Sequence, residues 1–124
     1  MVKLKCHPLS TGSRIGVIAP ASPVKDSREF TAHVEYLKSL GYQVVFGKTA
    51  VPGRGFLAGD DRMRQLDLES MWQDDSIAAL WCLRGGYGCL RLLSRLNYGY
   101  FEKVPKILMG FSDITALELA FWSR

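Results

Sequence analysis

Apolar positions along the chain alternate between short unbroken runs and residues spaced three or four apart. Ile15-Gly16-Val17-Ile18-Ala19 is a continuous run ended by Pro20, the pattern of a strand buried on both faces. Over 26–40, Phe30, Val34, Leu37 and Leu40 recur at helical spacing. Asp26 with Glu29 forms an N-terminal box there, and Gly41 supplies the stop. Val44-Val45-Phe46 predicts a second strand. A loop carrying Pro52, Gly53, Gly55 and Gly59 then leads to a helix opening at Asp60-Asp61, where a carboxylate suits the helix N-terminus, with Met63, Leu66 and Ser70 marking its inner face.

The uncharged stretch 77–83 is the strongest strand, bounded by Asp74-Asp75 and by Arg84-Gly85-Gly86. Leu90, Leu93 and Leu96 carry a third helix that fades into Asn97-Tyr98-Gly99, 107–110 predicts a fourth strand, and Ile114, Leu117 and Phe121 define a last helix. Four strand–helix alternations with short connections predict a doubly wound, flavodoxin-like α/β fold. Its parallel sheet has strand order 2-1-3-4, with helices on both faces.

Composition narrows the class. Of 124 residues, 48% are apolar and 23% charged, enough to bury a core and too apolar for a disordered chain. No apolar run approaches the roughly 18 residues of a membrane span, and the N-terminus has no apolar segment of the secretory type. Three cysteines (Cys6, Cys82, Cys89) without C-x-x-C spacing argue against a disulfide framework or metal site, and the apolar run around Cys82 and the helical pattern opening at Cys89 predict buried thiols there. The net charge of +4 is modest and spread out, with Arg62/Arg64 and Arg91/Arg95 reading as solvated helix faces, so nucleic acid is not an expected partner. The last helical pattern runs into Trp122-Ser123-Arg124 without a stop signal, so the chain is expected to be the N-terminal part of a longer protein.

Ligands of open parallel sheets bind outside the carboxyl ends of the strands. That rule selects Pro20-Ala21-Ser22, Arg84-Gly85-Gly86-Tyr87-Gly88 and Gly110-Phe111-Ser112-Asp113. The glycines after the third strand suit a phosphate cradle, an oxyanion hole or a plain tight turn. A full dinucleotide fingerprint is absent, yet a nucleotide- or phosphate-binding module using Gly85-Gly86-Tyr87-Gly88 remains an alternative function. Gly110-Phe111-Ser112-Asp113-Ile114 resembles a nucleophile elbow, although Ile114 replaces the second glycine. Ser112 as a simple helix cap is the competing reading. Neither His7 nor His33 is placed by sequence to serve Ser112 as a base. Asp60-Asp61 and Asp74-Asp75 read as helix-start charges.

These blocks are collectively familiar. Arg14-Ile15-Gly16-Val17-Ile18-Ala19-Pro20-Ala21-Ser22-Pro23, Leu57-Ala58-Gly59-Asp60-Asp61-x-x-Arg64, Asp67-Leu68, Trp81-Cys82-x-Arg84-Gly85-Gly86-Tyr87-Gly88 and Gly110-Phe111-Ser112-Asp113-Ile114-Thr115-Ala116-Leu117 resemble the LD-carboxypeptidase family of serine peptidases, which includes the microcin-immunity peptidases. The resemblance implies release of a C-terminal D-amino acid from murein tetrapeptides in the cytoplasm, without a metal or other cofactor, by a protein that is commonly a homodimer. It implies Ser112 as nucleophile and an oxyanion hole of backbone N–H groups from Gly85, Gly86 and Asp113. A Glu and a His would come from a C-terminal domain that this chain lacks, residues 1–124 being the nucleophile-bearing domain. Arg84 is a candidate for the substrate carboxylate, with a structural ion pair as its other reading.

Overall fold

The computed structural model describes residues 5–53, 55 and 57–124. Residues 1–4, the beginning of the segment read above for a secretory leader, lie outside them. The elements are β1 (Arg14–Ile18), α1 (Ser27–Ser39), β2 (Gln43–Phe46), α2 (Asp61–Gln73), β3 (Ala79–Cys82), α3 (Tyr98–Lys103), β4 (Ile107–Met109) and α4 (Thr115–Trp122). All strand pairs are parallel, in the order β2-β1-β3-β4, as the alternation requires.

The unbroken apolar runs serve both faces of the sheet. Ile15, Val17 and Ala19 pack with Leu37 of α1 and Ala79 on one side. Ile18, Leu80 and Cys82 pack with Leu68, Met71 and Trp72 of α2, Phe101 of α3 and Leu117 of α4 on the other. Gly16 permits the close approach of α2, since a Cβ there would lie 3.0 Å from the Met71 sulfur. Asp26 caps α1 by accepting from the Arg28 amide at 2.8 Å, and Gly41 leaves the helix at φ +87°. Cys82 and Cys89 are buried thiols as expected, and Cys6 is exposed.

Two expectations fail. The helix expected from Leu90, Leu93 and Leu96 is only a 3-10 turn, Cys89–Arg91. The helix forms later, over Tyr98–Lys103, where the Asn97 side chain accepts from the Gly99 amide. Leu90 is exposed, so its spacing did not mark a buried face. In α2 the inner face was misread as well. Met63 and Leu66 are exposed, whereas Arg64, Asp67, Leu68, Met71 and Trp72 face inward. Arg64 is fully buried, not part of a solvated face. Its charge is tolerated because every side of the guanidinium meets an oxygen.

Candidate active site

Three loops meet at the carboxyl edge of the sheet, beside the point where the chain reverses direction from β1 to β3. Their contacts are made largely by backbone. The Ser22 amide donates to the Gly85 carbonyl at 3.1 Å, and the Tyr87 amide donates to the Ser22 hydroxyl at 3.1 Å. Ser22 therefore grips the glycine turn on both sides of Gly86. That grip requires glycine: Gly86 has φ +98°, and a Cβ on it would fall 2.2 Å from the Ser22 hydroxyl oxygen.

Ser112 leaves β4 at φ +56°, the only non-glycine residue among those described with a positive φ. A side chain in this left-handed region costs on the order of 1 kcal/mol. Strain of that kind persists where the surroundings enforce it, and it points the exposed serine away from the packed layers. The turns are in contact: a Cβ on Gly85 would lie 2.8 Å from the Ser112 Cβ, 3.1 Å from the Phe111 carbonyl oxygen and 3.2 Å from the Asp113 nitrogen.

The elbow's missing second glycine has a local explanation. A Cβ on Gly110 would sit 2.4 Å from the Ile114 Cγ2, so Ile114 occupies the space that Gly110 vacates. One glycine of the pair suffices for the tight turn, and Ile114 becomes a fully buried core residue.

The Asp113 carboxylate ties the turns from the other side, accepting from the Cys89 amide at 2.8 Å. The Cys89 thiol is not set up as a nucleophile: burial, and then the charge of Asp113, push its pKa far up, so it stays protonated. The amides of Gly86 and Asp113 meet no acceptor among the described residues. The Tyr87 and Cys89 amides are already paired, with the Ser22 hydroxyl and the Asp113 carboxylate.

Arg84 is half-buried and donates to the Pro23 carbonyl at 3.1 Å, and it forms no ion pair among the described residues. The Ser112 hydroxyl has no hydrogen-bond partner among the described residues. His7 is exposed before β1, and His33 Nδ1 accepts from the Trp81 indole at 3.1 Å, on the α1 side of the sheet. Neither imidazole joins the serine.

Sequence reasoning placed Ser22 at this edge without giving it a contact, and gave Arg64 and Asp67 no role here. The carboxylate of Asp67 accepts from the Lys48 and Thr49 amides, each at 2.9 Å, and from the Thr49 hydroxyl. Thr49 in turn accepts from the Ala19 amide at 2.9 Å, steadying the chain just before the first loop. Arg64 and Asp67 are three positions apart on α2, a spacing that puts them on one face. That spacing was the available signal.

Gly85→Ala is expected to destabilise the fold by about 1–3 kcal/mol, since the new methyl must push the elbow aside and overpacking typically costs that much. A thermal melt checks it.

A doubly wound α/β domain with a strained serine at a strand-to-helix elbow, facing a glycine turn, has the architecture of a hydrolase domain. The LD-carboxypeptidase N-terminal domain profile matches residues 15–124, and the chain belongs to that family. A probable murein peptide carboxypeptidase of Bacillus subtilis is 41% identical over 112 residues, 90% of this chain and 35% of the relative. The murein tetrapeptide carboxypeptidase of Pseudomonas aeruginosa is 38% identical, over 87% of this chain and 35% of the relative. The solved apo structure of the microcin self-immunity protein MccF superposes with a TM-score of 0.91 at 28% identity, covering 98% of this chain and 37% of that one. The chain thus spans about a third of the length of the curated relatives it matches.

Proposed function

We propose that this chain is the nucleophile-bearing N-terminal part of a serine carboxypeptidase that cleaves an L,D-peptide bond and releases a C-terminal D-amino acid. The substrate is a murein tetrapeptide or a related small peptide, and the setting is cytoplasmic peptidoglycan recycling by a homodimer. The observation that carries the reading is the exposed Ser112, held at φ +56° against the glycine turn.

In this mechanism the Ser112 hydroxyl oxygen attacks the carbonyl carbon while a base from the rest of the protein takes its proton. The amides of Gly86 and Asp113, with that of Gly85 beside them, receive the oxyanion. The carbon–nitrogen bond breaks as the base returns the proton to the leaving amine, and water then hydrolyses the acyl-enzyme. The Arg84 guanidinium, with one N–H on Pro23, keeps others for the substrate's terminal carboxylate. No metal takes part.

The test is release of free alanine by the full-length protein from a lysine- or diaminopimelate-containing tetrapeptide. Release of D-alanine, with the diastereomer ending in L-alanine left intact, is the expected result. No release from either peptide, together with a thermal shift on adding mono- or dinucleotides, would replace the reading with a nucleotide-binding module.

A further inference from the structure

We propose that Arg64 is a positioning residue of this site, its buried guanidinium setting the placement of the glycine turn that faces Ser112. The inference rests on the serine-peptidase reading above.

Arg64 is 0% exposed, and each of its three nitrogens donates to an oxygen. Nε donates to the Gly59 carbonyl at 3.2 Å, Nη1 to the Pro20 carbonyl at 2.8 Å and the Gly88 carbonyl at 3.0 Å, and Nη2 to the Asp61 carboxylate at 2.5 Å. The three carbonyls belong to three different loops, after β1, before α2 and after β3. None of the four bonds goes to a strand. The side chain is a staple across the loops that carry the site, so its removal acts there first.

The contact with Gly88 is the close one. Gly88 has φ +129°, and a Cβ on it would lie 2.5 Å from Arg64 Nη1. The backbone is pressed against the guanidinium, and the position of one is set by the other. Ser22 grips the turn around Gly86, and Arg64 holds its far end at Gly88. Asp113 still holds the neighbouring Cys89 amide, but without Arg64 the Gly88 carbonyl keeps only the Arg91 amide of its own turn. The stretch between the Ser22 and Asp113 holds, which carries the Gly86 N–H, then loses its brace. A donor must point at the developing oxyanion to act on it, so a loosened turn loses rate more than binding.

Asp61 orients the fork. It also takes two bonds from Arg91, at 2.8 and 3.0 Å, which fix its own carboxylate. A planar five-donor group meets oxygens in three directions at once, and a lysine ammonium on a flexible stem does not reproduce that geometry.

The test uses the full-length protein, with D-alanine release and the affinity of a peptidyl boronic acid as a transition-state probe. Arg64→Lys is expected to lower kcat by about 10–100-fold with KM within about threefold, and to weaken the boronic acid by the factor lost from kcat/KM. Affinity for the product tripeptide should not change. A purely structural arginine would lower the melting temperature and leave kcat and boronic-acid affinity, measured well below that temperature, as they are. Should Arg64→Lys fail to fold, Asp61→Asn keeps the three carbonyl bonds and unlocks only their orientation. A loss of about 3–10-fold in kcat is then expected, again matched by the boronic acid. Ser112→Ala separates the two levels. If that variant keeps its activity, the serine-peptidase reading falls, and this one with it. If Ser112→Ala is inactive while the folded Arg64→Lys, or Asp61→Asn in its place, retains wild-type kcat and boronic-acid affinity, the Arg64 assignment alone is overturned.

Discussion

Ser112→Ala in the full-length protein is expected to remove about four to six orders of magnitude of kcat, the usual consequence of deleting a triad nucleophile. The melting temperature should hardly move. The hydroxyl makes no hydrogen bond to a described residue, and alanine has the same Cβ in the same left-handed backbone. Ser112→Gly separates chemistry from strain. It should abolish activity equally, yet raise stability by roughly 0.5–1 kcal/mol, because relief of the left-handed Cβ outweighs the extra freedom glycine gains on unfolding. A variant lacking the hydroxyl that keeps activity within tenfold would show that Ser112 is a cap and not a nucleophile. Kinetics and calorimetry on the same samples decide both points.

The second large effect is a loss in the chain itself. The 124-residue polypeptide alone should turn over an L,D-peptide at less than about one ten-thousandth of the full-length rate, the residue expected from an oxyanion hole acting without a working triad. A serine at neutral pH needs a base within hydrogen-bond reach. The chain has two histidines. His7 is exposed ahead of β1, and His33 Nδ1 is engaged by the Trp81 indole, so its neutral ring carries its proton on Nε2 and that nitrogen has no free lone pair to accept another. The comparison is D-alanine release by the folded fragment and by the full protein at equal concentration, with circular dichroism confirming that the fragment is folded. Fragment turnover near the full rate would point back to His7 or His33 as the base.

The centre of the sheet was legible because β1 and β3 are buried on both faces. Runs such as Ile15 to Ala19 and Ile77 to Leu83 then have no polar partner to blur them, and the βα alternation settles direction and order. The elbow and the glycine turn were legible because their backbone geometry demands particular residues. The parts that failed have two causes. Hydrophobic periodicity assumes that a buried helical face is apolar, and α2 buries Arg64 and Asp67 against loop backbone instead. Met63 and Leu66 then misled by being apolar and exposed. After β3, three leucines at helical spacing gave only a single 3-10 turn. Gly88 at φ +129° and the Asp113 carboxylate on Cys89 hold that segment to the site, and the regular helix waits for the Asn97 cap.

The strand order also fixes when such a site can exist during folding. Neighbours β1 and β2 join across one crossover, as do β3 and β4, with Arg14 meeting Gln43 and Ala79 meeting Ile107. The pairing of Ile15 with Ala79 spans the whole first half of the chain, and closing that loop costs the most entropy before any contact repays it. Ser22 lies on the near side of that closure, while the glycine turn and Ser112 both lie beyond it. A chain with β1–β2 and β3–β4 each formed would therefore have two orderly halves and a glycine turn without its hold on Ser22. The bond from Ser22 to Gly85 is thus a marker of the last and most non-local step, and amide exchange at Ser22 should follow global unfolding rather than local fraying.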